Sequence, residues 1–184
     1  MYLISIYFDE KTNRKIQQYI DKVAEKTGNR YMEAASVPPH MTITAFETLD
    51  EDAAVEALQR AAEQIGRGEI LWASVGQFFP YVLFLTPVLN RYLHNMSGVL
   101  YEEFSKIEGL RFSPHYLPFQ WQPHTTIGKK LSKDEMKIAF EVMQSCFAVL
   151  EGEAVRIGLA KPNPHRDIVS FSFGDTPSLK KGHH

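Results

Sequence analysis

The chain has 184 residues, 44% of them hydrophobic and 23% charged, a composition for one folded domain and too apolar for a disordered chain. Lys plus Arg total 20 against 22 for Asp plus Glu, a net charge of −2. That excludes a protein that coats long nucleic acid, which needs a cationic excess; a nucleotide or strand end remains open, because a local phosphate site needs few donors.

In chain order, residues 1–5 lack the charged and small-residue pattern of a signal peptide. Residues 3–8 alternate like a strand, and Ile16, Tyr19, Ile20 and Val23 recur at helical spacing. Pro39-His40-Met41-Thr42-Ile43 reads as a strand, and Thr48-Leu49-Asp50-Glu51 as a capping box opening a helix with Val55, Leu58, Ala62 and Ile65 on its apolar stripe. Residues 70–75 and 82–85 are strand candidates, the latter too short to span a bilayer. Thr86-Pro87 is expected to open a helix carrying Leu93, Met96, Leu100, Phe104 and Ile107, with Gly109 as its stop. Residues 109–122 hold Pro114, His115, Tyr116 and Pro118 and read as a loop.

Pro123-His124-Thr125-Thr126-Ile127 reads as a further strand, and Ser132-Lys133-Asp134-Glu135 as a second capping box. Its helix carries Ala139, Val142, Met143, Cys146 and Val149 on one stripe, which makes Cys146 a small core residue. As the sole cysteine it excludes an intrachain disulfide and a CxxC motif, which fits a reducing cytoplasm. Residues 155–159 and 168–173 complete the strands, and residues 182–184 resemble a purification-tag remnant.

The two halves repeat at an offset of 84 residues. Pro39-His40-Met41-Thr42-Ile43 falls on Pro123-His124-Thr125-Thr126-Ile127, residues 48–51 fall on 132–135, and Gly68-Glu69 falls on Gly152-Glu153. Each half reads strand, helix, His-bearing strand, helix, strand. The expectation is an α+β fold: one bilobal domain over residues 1–181, its duplicated units forming two antiparallel sheets around a central cleft.

Residues i and i+2 of a strand share a face about 6.5 Å apart. His40 is therefore expected beside Thr42 and Thr44, and His124 beside Thr126, with Met41, Ile43, Thr125 and Ile127 on the other face. Two imidazoles with ordinary pKa values near 6.5 suit proton transfer at both ends of a displacement: a neutral ring accepts the proton of an attacking hydroxyl, and a charged ring supplies one to the leaving oxygen. Threonine hydroxyls can bind the phosphoryl oxygens between them.

The paired motifs His40-Met41-Thr42-Ile43 and His124-Thr125-Thr126-Ile127 resemble those of the 2H phosphoesterase superfamily, and within it the bacterial 2′-5′ RNA ligase-like proteins. The resemblance covers residues 2–173. It implies a bilobal fold with a central cleft and metal-independent chemistry on 2′,3′-cyclic phosphates or 2′-5′ phosphodiester bonds of RNA ends or nucleotides. It also implies catalytic roles for His40, Thr42, His124 and Thr126, with neither cofactor nor metal. Many relatives place an arginine shortly after the second motif, where this chain has Gly128-Lys129-Lys130.

Thr44, Phe46, Phe119, Trp121 and Lys129 are the candidate substrate contacts, the rings as stacking surfaces for a base, with Tyr116 a further such ring. His94, His115 and His165 fall in a helix and in proline-containing loops. A cytoplasmic monomer without membrane attachment is expected. The competing readings are a non-catalytic module binding nucleotides or RNA ends, and a metal hydrolase built from His40, His124 and either His115 or His165, which lacks the local spacing of a zinc helix.

Overall fold

The computed structural model describes residues 1–174, so the tag-like residues 182–184 lie outside it. Strand β1 (Tyr2–Phe8) leads into α1 (Glu10–Thr27), a short α2 (Tyr31–Ala35), β2 (His40–Glu47), α3 (Glu51–Gln64) and β3 (Gly68–Phe78). The second half runs β4 (Val82–Pro87), α4 (Arg91–Phe104), β5 (Arg111–Phe112), a 3-10 turn at Pro114–Tyr116, β6 (Thr125–Gly128), α5 (Lys133–Cys146) and β7 (Leu150–Pro162). β8 (His165–Ser172) closes the described chain.

The architecture is α+β and every strand pairing is antiparallel. The two expected sheets are joined into one hydrogen-bonded network of order β5-β2-β1-β7-β3-β4-β6, with β8 also on β7. The long β7 makes the junction, pairing with β1 through Ala154–Ala160 on one edge and with β3 through Leu150–Ala154 on the other. In each half the His-bearing strand pairs with that half's first strand, and the first strand pairs with the last strand of the other half. At the centre Glu69 stands opposite Glu153, residues 84 positions apart. The sequence repeat is thus a pseudo-twofold rotation whose axis passes between these two residues.

Helix α1 packs on α5, and α3 on α4. The core takes Ile16, Tyr19, Ile20 and Val23 from α1, Leu58 from α3, Leu93, Met96, Leu100 and Phe104 from α4, and Ala139 and Met143 from α5. Val149 departs from the expected stripe. The helix ends at Cys146 and the valine lies beyond it, exposed.

Two helix starts differ from the sequence pattern. Asp50, not Thr48, caps α3: its carboxylate accepts from Ala53 N at 2.9 Å, while the Thr48 hydroxyl accepts from Asp50 N. A carboxylate caps as well as a hydroxyl does, and here it sits two positions later. Asn90 caps α4 by accepting from Leu93 N, because β4 continues through Thr86 and Pro87, where Pro87 pairs with Trp72. The second capping box forms as read, with Ser132 and Glu135 bonding reciprocally.

Candidate active site

Strand β1 forms one wall of the candidate site by simple alternation. Ile4 and Ile6 are fully buried in the core, whereas Leu3, Ser5 and Tyr7 line a cavity of about 180 Å³. β2 lies beside it with His40 opposite Tyr7, the two rings 6.2 Å apart. β6 approaches β2 without pairing to it and brings Thr126 to the same cavity. Lys129, just past β6, and His165, at the start of β8, are also on its walls, with Tyr31, Met32 and Ala35 of α2 facing them.

Both motif histidines make the same local bond. His40 Nδ1 lies 2.9 Å from the carbonyl of Pro38, and His124 Nδ1 lies 2.9 Å from the carbonyl of Gln122, in each case two residues upstream. A carbonyl can only accept, so each Nδ1 carries the proton when the ring is neutral and each Nε2 presents a lone pair. The surroundings of the two rings differ. His40 is held below the ordinary histidine value mainly by burial, partly opposed by the Pro38 carbonyl and reinforced by repulsion from His165, His124 and Lys129. The His124 charge is a minor contribution to that lowering, after burial and His165. His124 is lowered by burial, against the pull of the Gln122 carbonyl, and it packs edge-on against Phe78 and tilted against Phe84.

The threonines are placed unequally. Thr126 is half-buried on the cavity wall, and its hydroxyl has no hydrogen-bond partner among the described residues. Thr42 is buried and its hydroxyl lies 3.2 Å from that of Ser5, itself a cavity residue. In the second half Phe84 stands opposite Thr126, at the place Ser5 takes opposite Thr42, and offers it no polar partner. Thr125 and Ile127 point inward as expected, Thr125 accepting from Trp72 Nε1 at 3.1 Å. β6 ends at Gly128, which releases Lys129 from strand alternation and lets it reach the His40 side.

The 2′-5′ RNA ligase superfamily model matches residues 12–165, most of the chain. The chain belongs to the 2′-5′ RNA ligase superfamily. Its fold is similar to the crystal structure of Escherichia coli LigT complexed with 3′-AMP, at a TM-score of 0.60 and 14% identity, covering 94% of this chain and 97% of that one. A structure described as a phosphoesterase gives a TM-score of 0.54 at 13% identity, with the same coverage of the two chains. E. coli LigT complexed with NADP+ gives 0.51 at 11% identity, covering 94% and 96%. No curated protein matches in sequence.

Within this superfamily fold, four expected substrate contacts stand away from the His40 cavity. Thr44 is buried and Phe46 is in the core, stacked on Tyr2 at 5.5 Å and packed on Phe104. The cause is a bulge: Thr42 pairs with Ser5 and Thr44 with Ile4, leaving Ile43 as an extra residue, so alternation counted from His40 fails beyond it. Trp121 is 5% exposed and belongs to the core cluster, where an apolar ring is most stable out of water. Phe119 has a φ of 63° and swings outward to 80% exposure against His94 of α4. Tyr116 is half-buried in the 3-10 turn. Lys129 is the one member of that group that lines the cavity.

Other residues lie close to His40 instead. Tyr7 lies against His40, and the Arg156 guanidinium lies over the Tyr7 ring, 3.9 Å from its centre. Burial and the Asp167 carboxylate raise the Tyr7 phenol, opposed by Arg156. Tyr7 was detectable in the alternation of β1, being two residues beyond Ser5; Arg156 meets Tyr7 through the β1–β7 pairing, where the two stand opposite each other, and His165 reaches the cavity at the start of β8, which pairs with β7. A groove of about 610 Å³ elsewhere is lined by Asp9, Glu69, Glu151 and Glu153 together with Lys11, an acidic excess that disfavours a phosphate ester. Among the described residues no group of three or more His, Cys, Asp or Glu side chains is placed to hold a metal ion. No helix described is long and apolar enough to cross a membrane.

Proposed function

We propose that this protein is a phosphoesterase that opens 2′,3′-cyclic phosphates or cleaves 2′-5′ phosphodiester bonds at RNA ends or in nucleotides. His40 and His124 act as the acid–base pair. The observation that carries this reading is the matched Nδ1–carbonyl bond on both rings, which leaves two Nε2 atoms of the same kind. In hydrolysis a water oxygen attacks phosphorus while one neutral Nε2 takes its proton. The P–O bond to the departing ribose oxygen breaks as the other, protonated ring delivers a proton to that oxygen. The water proton thus ends on the first ring, and the second ring ends neutral.

The Thr126 hydroxyl, free of a protein partner among the described residues, and the Lys129 ammonium supply donors and charge for the nonbridging oxygens. Thr42 plays the matching part from β2. With a terminal 5′-hydroxyl in place of water, the same proton movements form its bond to the phosphorus of a 2′,3′-cyclic phosphate, break the P–O bond to O3′, which takes the proton, and leave a 2′-5′ linkage. Nucleotide complexes of the structurally similar E. coli LigT, with 3′-AMP and NADP+, support a nucleotide as the ligand.

The test is turnover of nucleoside 2′,3′-cyclic phosphates and 2′-5′-linked dimers in the presence of a chelator. His40→Ala and His124→Ala are each expected to lower kcat by about 10² to 10⁴ while the protein stays folded. Full activity in either folded variant defeats the two-histidine mechanism. Nucleotide binding without turnover across the substrate panel assigns a binding module instead.

A further inference from the structure

The hairpin between β3 and β4 is the most aromatic exposed stretch of the molecule. Phe78, Phe79 and Tyr81 fall within four consecutive positions and are 37%, 84% and 57% exposed. Apolar rings scattered singly over a surface are ordinary, but a cluster at one tip marks a contact surface. This tip joins the site at its base, because the Phe78 ring meets that of His124 edge-on at 4.8 Å.

Its other side joins the basic segment. Leu131 N donates to the Tyr81 carbonyl at 3.1 Å, which sets the tip beside residues 129–131. Lys129 there lines the His40 cavity, and Lys130 lies over the Tyr31 ring at 4.5 Å. Residues 76–83 carry no charge, and residues 128–131 carry two lysines and no acid. Exposed rings beside cations, leading away from a site for a phosphate ester, are the combination that holds a single strand: each base has a face to stack and each phosphate a charge to neutralise.

Resting on the reading of the site above, we propose that the β3–β4 tip and Lys129-Lys130 form a track for a short single-stranded oligoribonucleotide, with Phe79 and Tyr81 stacking the nucleotides next to the reacting end. The substrate class is then an RNA end rather than a free mononucleotide. Overall charge does not oppose this, since the track is local and short.

The probes are a tetraribonucleotide ending in a 3′-phosphate and carrying 2-aminopurine one nucleotide from that end, and the corresponding nucleoside 3′-monophosphate. Binding is measured on the full chain, independently of turnover. The tetramer is expected to bind at least tenfold more tightly than the monomer, with quenched fluorescence. Phe79→Ala with Tyr81→Ala should lose about tenfold or more of that affinity and leave mononucleotide turnover unchanged, whereas Phe79→Trp with Tyr81→Phe should keep it. Both positions are exposed, so circular dichroism should be unchanged in each variant. Equal binding of tetramer and monomer, or an alanine variant that binds the tetramer as the parent does, overturns the proposal. So does a dimer in sedimentation that the alanine variant abolishes, or alanine-sensitive binding to neutral lipid vesicles with no tetramer binding. Tetramer binding without hydrolysis of any cyclic phosphate would instead overturn the catalytic reading and leave the track standing.

Discussion

His40 and His124 make one bond in common and differ in nearly everything else they touch. Burial lowers both, so each ring is neutral to a lower pH than a free histidine. For catalysis, one limb of the kcat/KM profile reports the base losing its proton and the other reports the acid losing its own. With both free-enzyme values depressed, the bell is expected to be centred on the acid side of about 6.5; a profile still rising above pH 7 contradicts it. For stability the sign is equally definite. A folded-state value below the unfolded one means that unfolding takes up protons, so the contribution is intact above about 6.5 and declines as pH falls toward the lowered value. Replacing either histidine by alanine should flatten that acid slope in urea titrations. Thr126→Val is expected to lower kcat/KM by about tenfold or more, since a hydrogen bond to a charged group is lost. Thr42→Val should cost less, because the Thr42 hydroxyl already shares its bonding with Ser5.

At the level of elements, local chemistry was legible where one choice was compatible with the pattern. Ser132 and Glu135 form their box because hydroxyl and carboxylate stand three apart with a helical stripe behind them. The first tetrad offers two oxygen acceptors, Thr48 and Asp50, and the chain uses the second. Asp50→Ala is therefore expected to cost about 1 kcal/mol of stability and Thr48→Ala much less, read from denaturant midpoints. Equal losses would show that Thr48 shares the capping. Phe46 illustrates the opposite case. Strict period-two counting places it beside His40, and one extra residue at Ile43 turns it into the core against Tyr2 and Phe104. Nothing in the residue types near 43 announces a bulge, because it is set by how β1 and β2 must curve together.

Over the whole molecule the duplication is made physical by the Glu69–Glu153 pairing and by the glycines beside it. A Cβ at Gly68 would run into the ring of Tyr92 in the first turn of α4, and one at Gly152 into the side chain of Thr12 in the first turn of α1. Each glycine of one half thus seats a helix start of the other. Asp9 reinforces the seam by accepting from Glu153 N at 2.9 Å. Gly68→Ala and Gly152→Ala are each expected to destabilise by about 1–3 kcal/mol through overpacking, measured by thermal and urea unfolding. An alanine tolerated at both places would mean that the two halves are less tightly seated than the strand pairing implies.

The repeat, the α+β order of elements and the paired histidines were available from residue types and spacing alone. Apolar period and repeated identity are one-dimensional properties that survive without coordinates. The strand-like alternation of residues 3–8 belongs to the same class, although that Leu3, Ser5 and Tyr7 line the cavity emerged only with the tertiary structure. The company each histidine keeps was not available in this way. His165 comes to the His40 side because β8 folds back on β7, Arg156 meets Tyr7 because β7 pairs with β1, and Phe78 meets His124 because β4 lies between β3 and β6. Those neighbours depend on which strands pair across the pseudo-twofold axis, a choice made by burial of the whole core at once and written in no local segment.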